Sequence, residues 1–170
     1  MRRRVYLCEG ETEQHLIKAL KENELIEPGK PQVFNVAQRD VKKMLRKWGR
    51  ERFEIVVVVD ADTGPYAASS RLAENIEVLK KSHMPCLILQ CENLEEELAR
   101  CCGIVLHKLY DAFNASSASE FKEKFLNVQQ ARLIEKLEHC GFDFSRMWQM
   151  HCKDEKLNST LMEYLWGRNS

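Results

Sequence analysis

The stretch FEIVVVVDADTG, from Phe53 to Gly64, decides how the rest of the chain is read. Ile55 to Val59 are five consecutive β-branched residues. An unbroken run of this kind predicts a strand covered on both faces, as in a parallel sheet. The run stops at Asp60-Ala61-Asp62, and Thr63-Gly64-Pro65 turns the chain. In open α/β sheets ligands bind outside the carboxyl ends of the strands. Two carboxylates, Asp60 and Asp62, therefore fall at the edge where function is expected.

On either side of this strand the apolar spacing alternates between strand and helix. Arg3 to Cys8 predicts a first strand ending at Glu9-Gly10. A helix follows, with Thr12 as N-cap and Leu16, Ile17 and Leu20 as its buried stripe. Gln32 to Val36 predicts a second strand. Asp40 caps a helix with Val41, Met44, Leu45 and Trp48 inward, and Gly49 ends it. Beyond the Phe53 strand, a helix over 70–81 buries Leu72, Ile76 and Leu79, and Cys86 to Gln90 forms a fourth strand. The alternation predicts an α/β fold with a parallel four-stranded sheet between helices. With strand order 2-1-3-4, the first and third strands are neighbours and their terminal acids meet at the switch point. After Gln90 the pattern becomes helical: Leu94 to Leu109 with Gly103 weakening its middle, a loop over 114–119, Phe121 to Cys140 with a break near Asn127, and a short helix through Leu157, Leu161, Tyr164 and Leu165. This divides the chain into an α/β domain, residues 1–110, and a helical extension, residues 111–170, packed on it.

Composition limits the function classes. The chain has 170 residues, 44% apolar and 31% charged, which is ordinary for a globular protein. The 26 basic and 26 acidic residues balance, so any polyanion site must be a local patch. No apolar run is long enough to span a bilayer. Arg2-Arg3-Arg4 leads into a short apolar stretch that meets Glu9, which is no export signal. Seven cysteines without a CxxC pair predict reduced, mostly buried thiols in a cytoplasmic protein, without structural zinc.

The acids carry the chemistry. Glu9 ends the first strand, Glu13 lies four residues on in the next helix, and Asp60 and Asp62 end the third strand. Carboxylates gathered without a basic partner repel one another, and a hard divalent cation with oxygen ligands resolves that repulsion. Phosphoryl-transfer sites use such ions to stabilise attacking and leaving oxygens. Each acid also has a plainer reading: strand ends are wet, and Glu13 sits where the helix dipole favours an acid. The conjunction of all four separates the two readings.

That conjunction, CEGETE over Cys8 to Glu13 and VVDADTG over Val58 to Gly64, resembles the TOPRIM family over roughly Arg3 to Gln90. In that family a Glu-Gly ends the first strand and an Asp-x-Asp ends the third. The acid four residues after Glu9 is most similar to the overcoming-lysogenisation-defect nucleases. Those nucleases also carry a Leu-Glu-x-acid-Leu segment after a later strand, similar to Leu94-Glu95-Glu96-Glu97-Leu98 here. The resemblance implies a Rossmann-like TOPRIM domain and a nuclease that uses one or two Mg2+ or Mn2+ ions. It implies Glu9, Glu13, Asp60 and Asp62 as metal-binding and catalytic residues, with Glu95 serving a second metal. Glu95 is otherwise an acid of a solvated helix start, and Glu92 is a weaker candidate. No breakage domain, zinc module or Walker A sequence is visible. That leaves a small stand-alone nuclease, or the nuclease subunit of a bacterial anti-phage defence system whose ATPase is a separate chain.

Lys42, Lys43, Arg46, Lys47 and Arg50, flanked by Arg39 and Arg52, offer a basic helix face for DNA or RNA phosphates, or a solvated surface. Lys122 and Lys124 are cations without supporting spacing. His15 reads as a partly exposed helix residue, and Cys8 as packing. Two other function classes remain: a receiver-like magnesium-binding signalling domain, and a catalytically inactive TOPRIM domain that binds a partner. Glu9 followed by glycine, and no lysine at the end of the fourth strand, count against the receiver.

Overall fold

A computed structural model describes residues 3–49, 53–60, 67–90 and 92–148. Asp62, the Thr63-Gly64-Pro65 turn, Arg50, Arg52 and the helix expected over 157–165 lie outside the described residues. The chain is α/β. Strands β1 (Arg3–Cys8), β2 (Lys30–Val33), β3 (Phe53–Asp60) and β4 (Met84–Gln90) form one sheet of order β2-β1-β3-β4. Every pairing is parallel. The register runs Leu7 to Val57 across the central pair and Asp60 to Gln90 at the end of the outer pair.

The β-branched run behaves as its composition demands. Ile55, Val57 and Val59 point to one face of the sheet, and Val56 and Val58 to the other, all of them buried. On the Ile55 face lie α2 (Val41–Trp48) and α3 (Ala67–Ser82), which contribute Val41, Met44, Leu72, Ile76 and Leu79. On the Val56 face lie α1 (Glu11–Glu22), α4 (Leu94–Cys102), α5 (Leu106–Ala112), α6 (Ala118–Asn127) and α7 (Gln130–Glu138). Phe121 and Phe125 of α6 are fully buried there and pack against Phe113, edge-on and tilted respectively, so truncating either to alanine costs about 3–5 kcal/mol. Helices α6 and α7 thus share a core with Tyr6, Cys8 and Val56 of the sheet.

Several boundaries differ from the sequence reading. Helix α1 is capped by Gly10, with extended backbone, rather than by Thr12. Strand β2 covers Lys30–Val33 rather than Gln32 to Val36. It holds Pro31, which an outer strand tolerates because one of its sides needs no ladder bonds. Gly103, at φ +66°, takes the left-handed conformation that ends α4, so the helix expected to reach Leu109 is two helices. Helix α6 begins at Ala118, inside the stretch read as loop, because Ser117 accepts a hydrogen bond from Glu120 N. The break near Asn127 separates α6 from α7. Asp40 caps α2 as expected, accepting from Lys42 N at 2.8 Å. Among the described residues no helix is long and apolar enough to cross a membrane.

Candidate functional site

Because β1 and β3 are parallel neighbours, their last residues reach the same edge. Glu9 directly follows β1, and its Oε2 accepts a hydrogen bond from Asp60 N at 2.9 Å. The two acids are therefore joined through the backbone of one and the carboxylate of the other. Gln90, the register partner of Asp60 on β4, is buried and donates from Nε2 to Asp60 Oδ1 at 2.5 Å. A buried amide at this position fixes the carboxylate rotamer. From sequence, Gln90 reads only as a strand end. Its signal is positional, a polar residue closing an apolar strand level with an acid.

Glu13 is buried, and its position has a local cause. As the third residue of α1 it turns back, and its Oε2 accepts from Gly10 N at 2.9 Å. This is the acid half of a capping box, which satisfies an amide that the helix leaves open. Glycine at position 10 makes room for it: a Cβ there would stand 2.9 Å from that Oε2. Glu13 thus has a structural duty independent of any ligand.

Glu95 is the second residue of α4, whose N-cap Asn93 accepts from Glu96 N at 3.0 Å. It is 6% exposed. Its Oε1 meets no hydrogen-bond donor in good geometry, and the Lys122 ammonium faces it at 3.3 Å. Partial burial alone would lower the Lys122 pKa. The carboxylates of Glu95 and, after it, Glu13 and Asp60 reverse that and raise it. Lys122 is therefore paired directly with Glu95, and the negative charges of Glu13 and Asp60 add to the pull on its proton. Nothing in its spacing reveals this, because α6 reaches the edge only through the packing of Phe121 and Phe125.

Glu97, two residues after Glu95, is fully buried and looks the other way. Its Oε1 accepts from Arg100 Nη2 and from Trp148 N, both at 2.6 Å, and Arg100 Nη2 also donates to Arg146 O at 2.6 Å. This group fastens the 143–148 segment to α4. The acid-rich start of α4 therefore divides its labour, Glu95 toward the sheet edge and Glu97 toward structure.

The edge therefore joins Glu9 with Asp60 by a hydrogen bond and Glu95 with Lys122 by an ion pair. Asp62 lies outside the described residues. Among the described residues no three His, Cys, Asp or Glu side chains are arranged to hold a metal ion. Glu13 is turned toward Gly10 and Glu95 toward Lys122. The donor chemistry at Glu9 and Asp60, all oxygen and anionic, is that of a hard cation such as Mg2+ or Mn2+. No family model, no curated protein and no solved structure matches this chain.

The remaining candidates separate clearly. Lys42, Lys43, Arg46 and Lys47 are exposed on α2, on the opposite face of the sheet from α1, α4 and α6. Arg39 lies over the Phe34 ring, 5.0 Å from its centroid. Arg50 is outside the described residues. His15 faces the Val128 carbonyl at 2.9 Å and packs edge-on against Phe125, which ties α1 to the α6–α7 junction and away from the acids. Cys8 is fully buried, and burial first, then Glu13, pushes its thiol up to about 12, so it is packing and no nucleophile. Cavities of about 710 and 550 Å3 lie by the α6–α7 junction and between α2 and α3, away from these acids.

Proposed function

We propose that this chain is a divalent-metal-dependent phosphodiesterase that hydrolyses DNA or RNA on a TOPRIM-like scaffold. The observation that carries the reading is the Asp60 N to Glu9 Oε2 bond, which joins two strand-end acids at the carboxyl edge of a parallel sheet. Glu9 and Asp60 would hold Mg2+ or Mn2+, with Asp62 as a further oxygen donor from the sequence pattern. Such an ion polarises a phosphoryl oxygen and lowers the pKa of bound water. The chain's own contribution is placement. Gln90 orients the Asp60 carboxylate, and the two central strands fix the spacing of Glu9 and Asp60. The exposed cations of α2 would hold phosphates without reading sequence. By the same resemblance, the setting is bacterial defence against phage, with any ATPase on a separate chain.

The test is cleavage of labelled DNA and RNA, single and double stranded, by purified protein with Mg2+ or Mn2+. Asp60→Asn, which keeps the shape and removes the charge, is expected to abolish cleavage with the fold intact. Undiminished cleavage by that variant overturns the reading. A second reading, a partner-binding module with an inactive acid edge, is favoured by one observation: Glu13 is engaged in capping. Mn2+ binding that depends on Asp60, without cleavage of any substrate, would select it.

A further inference from the structure

The acid edge carries its own cation. Lys122 lies on α6 between Phe121 and Phe125, neither of which is exposed to solvent, so the root of its side chain is fixed by the core. From there the side chain, 54% exposed, returns to a buried carboxylate and places Nζ 3.3 Å from Glu95 Oε1. That oxygen has no hydrogen-bond donor in good geometry. A buried carboxylate oxygen in that condition requires a compensating charge. Here the ammonium supplies it.

A divalent ion ligated by either oxygen of Glu95 would sit about 2.0–2.6 Å from it, on the same small carboxylate that the ammonium faces. With the ammonium already 3.3 Å from Oε1, such an ion would share one carboxylate with a second cation, and the two repel. Glu13, the other acid on this side, is turned toward Gly10 N. From this arrangement we infer that Lys122 takes the place of a second metal ion, so the site binds a single divalent cation at Glu9 and Asp60, and Glu95 serves the lysine. The inference rests on the metal-binding reading above. It specifies that reading's stoichiometry and assigns Glu95 to positioning Lys122.

The test is Mn2+ binding to the full chain, by calorimetry and by the electron paramagnetic resonance of free Mn2+, independent of any cleavage. Wild type is expected to bind one Mn2+, and Asp60→Asn to lose it. Lys122→Met is expected to bind two, the second ion disappearing in Lys122→Met combined with Glu95→Gln. Lys122→Arg, which keeps the charge, is expected to remain at one. Thermal melts confirm that each variant is folded. Two ions in the wild type, or a single ion in Lys122→Met, would overturn the substitution while leaving Asp60-dependent metal binding in place. Binding that is absent, or indifferent to Asp60→Asn, would overturn the metal reading itself and this inference with it.

Discussion

Replacing Glu13 by glutamine tests whether the capping role of that residue outweighs the crowding of acids around it. The side chain is 6% exposed, so its interactions are little screened. Glutamine can still accept from Gly10 N, now at 2.9 Å from Oε2, but through a neutral oxygen. A hydrogen bond to a charged group contributes about 1.5–3 kcal/mol and a neutral one about 0.5–1.5, so the difference is about 1 kcal/mol. Losing an acid from the first helical turn adds about 0.3–1 kcal/mol. Relief of repulsion with neighbouring carboxylates opposes both, and the Lys122 charge, which Glu13 feels after Glu95, weakens that repulsion. The expected net loss is about 1–2 kcal/mol, which lowers Tm by about 2–8 °C for a chain of this size. Thermal unfolding in chelator-containing buffer measures it. Glu13→Ala, which leaves Gly10 N without an acceptor, should melt lower still. A Glu13→Gln protein that melts at or above the wild type would refute the capping argument, because repulsion would then dominate.

Three further outcomes follow from other parts of the molecule. Removing the charges of Lys42, Lys43, Arg46 and Lys47 together should weaken nucleic-acid binding. It should also flatten the slope of log affinity against log salt by about 0.7–0.9 for each phosphate no longer neutralised; an unchanged slope in filter-binding assays would make α2 ordinary solvated surface. Glu97→Ala should cost about 3 kcal/mol in urea unfolding, the low end for a broken buried ion pair because Arg100 is 26% exposed and can rehydrate; a loss under about 0.5 kcal/mol, the level of an ordinary surface substitution, would show that the 143–148 segment is held by something else. Burial raises the thiols of Cys8, Cys101 and Cys102 from 9.0 to about 12. They should resist iodoacetamide at pH 8 while exposed Cys86 reacts, as read by peptide mass spectrometry. The sign of the linkage is that the unfolded thiols lose protons first, so stability should fall as pH rises above about 9 and be unaffected below it.

The sequence and the fold agree where a residue's role is set by its near neighbours. Ile55 to Val59 can only be buried on both faces, and that run defines the central strand and so the edge bearing Glu9 and Asp60. Leu16, Ile17 and Leu20 repeat at helical spacing and are buried. Agreement weakens where a backbone detail competes with a preference. Thr12 is a better N-cap by type than glycine, yet Gly10 takes the position because the helix already begins at Glu11 and the Glu13 carboxylate closes back on Gly10 N. Gly103 carries a signal, but whether it bends or ends a helix depends on the left-handed conformation it adopts. Lys122 and Gln90 are illegible for another reason. Their roles exist only across the sheet or between layers, and no local pattern encodes a partner on a distant element.

The two central strands are neighbours in space but not in the chain. Each residue from Arg3 to Leu7 finds its β3 partner fifty positions later, as Leu7 finds Val57, with α1, β2 and α2 between them. Closing a loop of that length costs about 3.5 kcal/mol of chain entropy before any interaction across it forms. Non-local parallel pairing of this kind makes folding slow compared with a helical chain of equal size. The Glu9–Asp60 bond lies at the far end of that closure. A chain with its helices formed but β1 and β3 still apart holds all the same acids and no assembled pair, so whatever chemistry the edge performs is withheld until the sheet is complete.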